Sequence, residues 1–193
     1  MRSMVEGKAT MPPAYRPEFE AGLRLFARAS EAMRARGFLP PVLVGGGAVE
    51  LYTLSAINTG DFDIVTARQP EFEEELQRLG FTKPEGPGHT PLGWVHPQLK
   101  LGFEVVSSLL LDGEADRDRI IFIDLGNDGK AAIISVEDMI ADRMGQFASG
   151  SAPTMRAQAQ RLFGLHDGLD MDYMERRIRH ESAGEYGVED LND

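Results

Sequence analysis

Asp61-Phe62-Asp63-Ile64-Val65 places two carboxylates two positions apart in a run that is otherwise apolar. Side chains on a strand alternate between its faces. As a strand, this run therefore puts Asp61 and Asp63 on one face and Phe62 and Ile64 on the other. The apolar face must be buried, which leaves two acids side by side on the opposite surface of a sheet. Two like charges about 4 Å apart, at an effective dielectric near 20, repel by roughly 4 kcal/mol. A cation between them relieves that cost, and Mg²⁺ prefers oxygen ligands.

The residues upstream give the acids a setting. Val42-Leu43-Val44 is an apolar run; Gly45-Gly46-Gly47 follows, then a short helix-like segment, and the turn Thr59-Gly60 leads into Asp61. Residues 42–66 thus read as strand, glycine turn, helix and second strand. Glycines let backbone approach a ligand closely, and the helix after them offers free N–H groups and a positive dipole end, which suits a triphosphate. A ligand-free strand-to-helix turn uses the same residues. The acids downstream decide between the two readings in favour of binding.

The rest of the chain reads as helices and strands around this unit. Pro17 suits a first helical turn, and Phe19, Leu23, Phe26, Ser30 and Met33 follow at helical spacing towards Gly37. A helix from about Pro70, with Phe72, Leu76 and Leu79 inward, stops at Gly80; Glu71, Glu73, Glu74 and Glu75 read as its solvated face. Residues 84–98 are rich in Pro and Gly, with Trp94 in a short strand and His89 and His96 as surface residues. Residues 99–106 alternate as a half-buried strand with Glu104 on the more polar face; the alternative for Glu104 is an exposed carboxylate or a partner of Lys100. Residues 120–123 and 131–134 read as two strands joined at Gly126–Gly129. Ser135-Val136-Glu137-Asp138 is a capping box opening a helix with Val136, Ile140, Met144 and Phe147 inward. Pro153 starts another helix, with Met155, Ala159, Leu162 and Phe163 inward. Asp170 caps a last one, with Tyr173, Met174 and Ile178 inward and Arg176, Arg177 and Arg179 outward. The acidic tail from Gly184 reads as frayed. The expected fold class is α+β (α/β-like), a mixed twisted sheet flanked by helices. Residues 1–15 form a flexible leader, 16–134 the core, and 135–193 a C-terminal helical extension packed on it.

Composition narrows the function classes. The chain has 193 residues, is 42% hydrophobic and contains no cysteine, so one domain with a real core is expected, without disulfides or thiolate metal sites. No apolar run reaches the length of a membrane span, and residues 1–17 lack the apolar middle of a secretory signal, so the expected location is cytoplasmic. A formal net charge of −11 argues against a broad nucleic-acid surface.

The stretch from Val42 to about Val106 resembles the nucleotidyltransferase superfamily, the DNA polymerase beta-like fold. Val44-Gly45-Gly46 matches the apolar strand and glycine turn of that signature, Asp61-Phe62-Asp63-Ile64 matches its Asp-x-Asp, and Glu104 in GFEVVSS fits the third acid on a later strand. The resemblance is to stand-alone bacterial members, some of them toxin or antitoxin components. It implies Mg²⁺ (or Mn²⁺) held by Asp61, Asp63 and Glu104, with Glu104 also placed as a base. It implies phosphates of a nucleoside triphosphate such as ATP bound at Gly45 and Gly46. It further implies transfer of a nucleoside monophosphate to a hydroxyl of a protein, an RNA or a small molecule. A basic residue on the helix after the sheet reaches the nucleotide in several relatives, and Arg143 holds that place; a salt bridge between helices is the equal alternative. A catalytically weak or inactive binding protein on the same scaffold, antitoxin-like or regulatory, is the second functional reading. One departure stands out: many relatives carry Arg-x-Thr before the first Asp, and here the run is Ile57-Asn58-Thr59.

Overall fold

The computed structural model describes residues 15–84 and 93–192. The expected leader, Tyr15 apart, and His89 lie outside the described residues. The elements run α1 (Pro17–Ala35), β1 (Val42–Val44), α2 (Gly45–Tyr52), β2 (Asp61–Val65), α3 (Gln69–Arg78), β3 (Trp94–His96), β4 (Leu101–Ser107), β5 (Ile121–Asp124), β6 (Lys130–Ile133), α4 (Val136–Ala148), α5 (Met155–Leu165) and α6 (Met171–Glu181).

Local chemistry explains most boundaries. α1 opens on Pro17 with Glu18 and Glu20 in its first turn and ends before Gly37, whose φ of +82° only glycine takes without strain. Ser135 caps α4: its hydroxyl accepts from the Asp138 amide at 3.1 Å and donates to the Asp138 carboxylate at 2.7 Å. Asp170 caps α6 by accepting from the Tyr173 amide at 3.0 Å. The fifth helix starts at Met155, two residues beyond Pro153.

The six strands form one mixed sheet in the order β3-β4-β2-β1-β6-β5. β2 is antiparallel to β1 and parallel to β4; β1 is parallel to β6, and the two edge pairs are antiparallel. The pairing places Val44 opposite Asp63, and Asp63 opposite Glu104. The strand carrying the aspartates thus lies between the one that feeds the glycine turn and the one that carries Glu104. The other face of β2 and β4 is core. Phe62 and Phe103 stack 4.8 Å apart, and α1 adds Phe19 and Phe26 to them at 5.2 and 6.3 Å. Each such ring, fully buried, contributes about 1.5–3 kcal/mol of transfer free energy. The rigid aromatic layer beneath the sheet fixes where the acids above it point.

The C-terminal helices close the other side. Tyr52, at the end of α2, donates to the Ile134 carbonyl at 2.5 Å and meets His166 edge-on at 5.4 Å. Among the described residues no helix is long and apolar enough to cross a membrane.

Three charged features differ from expectation. Arg177 does not face solvent with Arg176 and Arg179. It is buried, with Nε 2.9 Å from Asp138 and Nη2 2.6 Å from Glu181. Arg176 and Arg179 share a helix face by their spacing of three, whereas position 177 is rotated about 100° towards α4. Glu75 leaves the solvated face of α3 because Arg36 and Arg78 meet it at 2.8 and 2.5 Å, fastening α3 to the end of α1. The tail is folded rather than frayed. Leu191 is buried, Val188 donates to Glu175 at 2.6 Å, and Arg156 donates to the Asp190 carbonyl at 2.8 Å.

Candidate active site

The site is built where β1 ends and α2 begins. Gly45 has φ +57°, and a Cβ there would overlap the Asp63 carboxylate, so a left-handed residue without a side chain is required. The turn then aims the Gly46 N–H at Asp63 Oδ2, 3.1 Å away. A Cβ on Gly46 would stand 2.5 Å from Thr59 Oγ1, so the turn is also closed against the residue that precedes Gly60-Asp61.

Asp61, Asp63 and Glu104 converge beside this turn, each offering an oxygen such that all lie within 4.8 Å of one another. Asp61 is exposed; Asp63 and Glu104 are half-buried. Burial raises the Asp63 pKa above the ordinary carboxylate value; the Gly46 N–H and Arg143 oppose the rise, while Asp61 and Glu104 add to it. The donor set is chemically right for a hard divalent cation. An octahedral Mg²⁺ shell is roughly 4.2 Å across, so oxygens within 4.8 Å of one another are close enough to share one ion or to be divided between two.

Arg143 stands across from the acids on α4. It is 6% exposed, Nη1 lies 3.0 Å from Asp142, and Nε has no hydrogen-bond partner among the described residues. The ion pair is thus with its own neighbour on the helix. Arg143, Asp142, Gln146 and Met139 form one wall of a cleft of about 430 Å³; Gly45, Asp63 and Val106 form the other. That volume suits a small-molecule ligand. Burial also lifts the Asp142 carboxyl above its ordinary pKa, against the pull of Arg143 and a hydrogen bond from Gln146.

Position 57, where an arginine was expected, is a half-buried Ile packed on the core. A guanidinium nevertheless reaches Thr59. It comes from Arg16, which donates to the Thr59 carbonyl and to Glu50. Sequence reasoning missed Glu50 and Arg16. The available signal was Glu50 itself, the lone acid or base in the run from Gly45 to Gly60.

No protein-family model matches the chain, and the curated proteins contain no match. Solved structures do match. An antigenic nucleotidyltransferase-like protein from Paracoccidioides brasiliensis aligns with TM-score 0.58 at 13% identity, over 89% of this chain and 90% of that one. The chain has the nucleotidyltransferase fold. The antibiotic-resistance factor ANT(2'')-Ia shares that fold: its solution structure aligns with TM-score 0.52 at 18% identity, over 85% of this chain and 92% of that one. Its crystal structure in complex with adenylyl-2''-tobramycin aligns with TM-score 0.53 at 18% identity, over 84% and 98%. In this nucleotidyltransferase fold, the acids and the glycine turn meet at one end of β1 and β2.

Proposed function

We propose that this chain transfers a nucleoside monophosphate from a nucleoside triphosphate to a hydroxyl of a small molecule, breaking the α–β phosphoanhydride bond and releasing pyrophosphate, with Mg²⁺ or Mn²⁺ as cofactor. The observation that carries the reading is the convergence of Asp61, Asp63 and Glu104 beside the Gly45-Gly46 turn. Asp61, Asp63 and Glu104 would hold the metal, which supplies charge stabilisation at the phosphates and lowers the pKa of the attacking hydroxyl. The half-buried backbone of the Gly45-Gly46 turn, which lines the cleft at Gly45, would receive phosphate oxygens. The Arg143 guanidinium, with a buried and unpartnered Nε on the cleft wall, supplies positive charge towards the same space. Glu104, in register with Asp63, takes the hydroxyl proton.

A small acceptor is supported by three things: the cleft volume, the net charge of −11, and the small adenylylated product held by ANT(2'')-Ia. The test is thermal unfolding with ATP, GTP, CTP and UTP, with and without Mg²⁺, on wild type and Asp61→Ala/Asp63→Ala. Tobramycin is the first of a panel of hydroxyl compounds for assaying transfer. A nucleotide at a hundred times its dissociation constant adds about 2.7 kcal/mol, or roughly 5–11 °C for a chain of this size. One Mg²⁺-dependent shift, lost in the double variant, supports the reading. No shift with any nucleotide moves the chain to the binding-protein class.

A further inference from the structure

Glu50 is fully buried, yet it is a carboxylate on a short helix whose neighbours are apolar. A buried charge of this kind persists only when it is saturated with donors. Four reach it. Arg16 Nε and Ser55 Oγ donate to Oε1 at 2.6 and 2.9 Å, and Arg16 Nη2 and the Thr59 amide donate to Oε2 at 2.9 and 2.7 Å. The same guanidinium also donates to the Thr59 carbonyl, and the Arg16 amide donates to Ser55 Oγ at 3.2 Å. Both backbone polar groups of Thr59 are thus held by one ion pair.

The geometry reaches from there to the acids. Thr59 Oγ1 donates to the Asp61 carbonyl at 2.9 Å and lies 3.4 Å from Asp61 Oδ1. It also packs against Gly46, as the 2.5 Å approach to a Cβ there shows. Glu50 rides on the helix that Gly45 and Gly46 begin. One carboxylate therefore locks the glycine turn, Thr59 and Asp61 into a single spacing. The connector it spans contains Leu54 and Ser55 at φ +52° and +59°, a conformation that side-chain-bearing residues resist. Something must hold that connector in place, and the ion pair does.

We propose that Arg16 and Glu50 are positioning residues for the metal site. The segment before α1 supplies in space the arginine missing at position 57, and Glu50 fastens it, so that Asp61 is set against Asp63 and Glu104. This inference rests on reading the three acids as a metal site.

The test is Mn²⁺ affinity, read by electron paramagnetic resonance on the full chain with Mn²⁺ as the only probe. Transfer kinetics at saturating Mn²⁺ follow as the second readout. Removing a group that orients metal ligands costs roughly 10–100-fold in metal affinity or activity. Arg16→Ala is expected to weaken Mn²⁺ binding by that factor and to lower kcat while leaving KM for the triphosphate unchanged. Arg16→Lys, which keeps the charge but loses the fork, is expected to fall between, and guanidinium added to Arg16→Ala to restore part of the affinity. If Arg16→Ala fails to fold, Arg16→Met/Glu50→Met carries the test, because it leaves no buried charge unpaired. Arg24→Ala, which removes a surface pair with Glu20 and Asp128, is the unchanged control. A variant that melts lower but binds Mn²⁺ as tightly as wild type overturns the inference and leaves the proposed function standing. Wild type that binds no Mn²⁺ overturns both.

Discussion

At the scale of single residues the site depends on what Gly45 lacks. Gly45→Ala must adopt a left-handed conformation, costing about 1–2 kcal/mol, and its methyl group occupies the place of the Asp63 carboxylate. The strain alone lowers Tm by roughly 2–8 °C in a chain of this size. Displacing Asp63 by about 1 Å costs roughly 100-fold in transfer rate. Gly164→Ala is the contrast. It lies within α5 with open space around it, so a small gain of roughly 0.5–1 kcal/mol is expected, with transfer unchanged. Differential scanning calorimetry and the transfer assay read both, and equal rates for the two variants contradict the steric account. Gly45, Asp61 and Asp63 were legible in the sequence because their signals are local: a glycine turn and a two-residue alternation. Glu104 came from the resemblance and its strand pattern. Arg16 was not legible, since it meets Glu50 across 34 positions and nothing in either local pattern names the partner.

At the scale of elements, helix ends were readable from Pro17, Gly37, Ser135 and Asp170, because capping and breaking act within one turn. What a helix faces was less so. Arg176, Arg177 and Arg179 form one basic cluster in the sequence, but only Arg177 turns towards Asp138 on α4, where the Tyr173 and Ser135 hydroxyls also donate to the carboxylate. The same holds for Glu75 and for the tail, whose partners lie on other elements. Since α4 also carries Arg143 to the cleft, its attachment to α6 sets that wall. Arg177→Ala leaves the buried Asp138 without its cation and is expected to cost about 3 kcal/mol in urea unfolding. Arg176→Ala, on the exposed side, is expected to stay within roughly 0.5 kcal/mol. Equal losses for the two would show that the buried pair contributes no more than a surface charge.

At the scale of the whole molecule, the sheet order was the least legible feature. Periodicity identifies strands, but the parallel pairings of β1 with β6 and β2 with β4 join segments far apart in sequence, and it is the second of these that brings Glu104 beside Asp63. The fold thereby gathers carboxylates in a chain already at net charge −11, and the metal-free protein bears the cost. Asp63 carries the sign of it. Burial first, then Asp61 and Glu104, hold its carboxyl above the ordinary value of 3.8. The folded protein therefore keeps this proton to a higher pH than the unfolded chain does. Its stability falls as pH rises from about the ordinary carboxylate value through the raised one, and stays lowered at neutral pH. Asp63→Asn removes the charge and keeps an oxygen to accept from the Gly46 N–H. In EDTA at neutral pH it should melt above wild type, with the difference closing towards about pH 4. On the proposed function, with Mg²⁺ and the preferred triphosphate the order should invert, since wild type would gain about 2.7 kcal/mol at a hundred times the dissociation constant and the variant would not. A variant that melts below wild type in EDTA would show that Asp63 stabilises the empty site, and the acids would then be structural rather than poised for a cation.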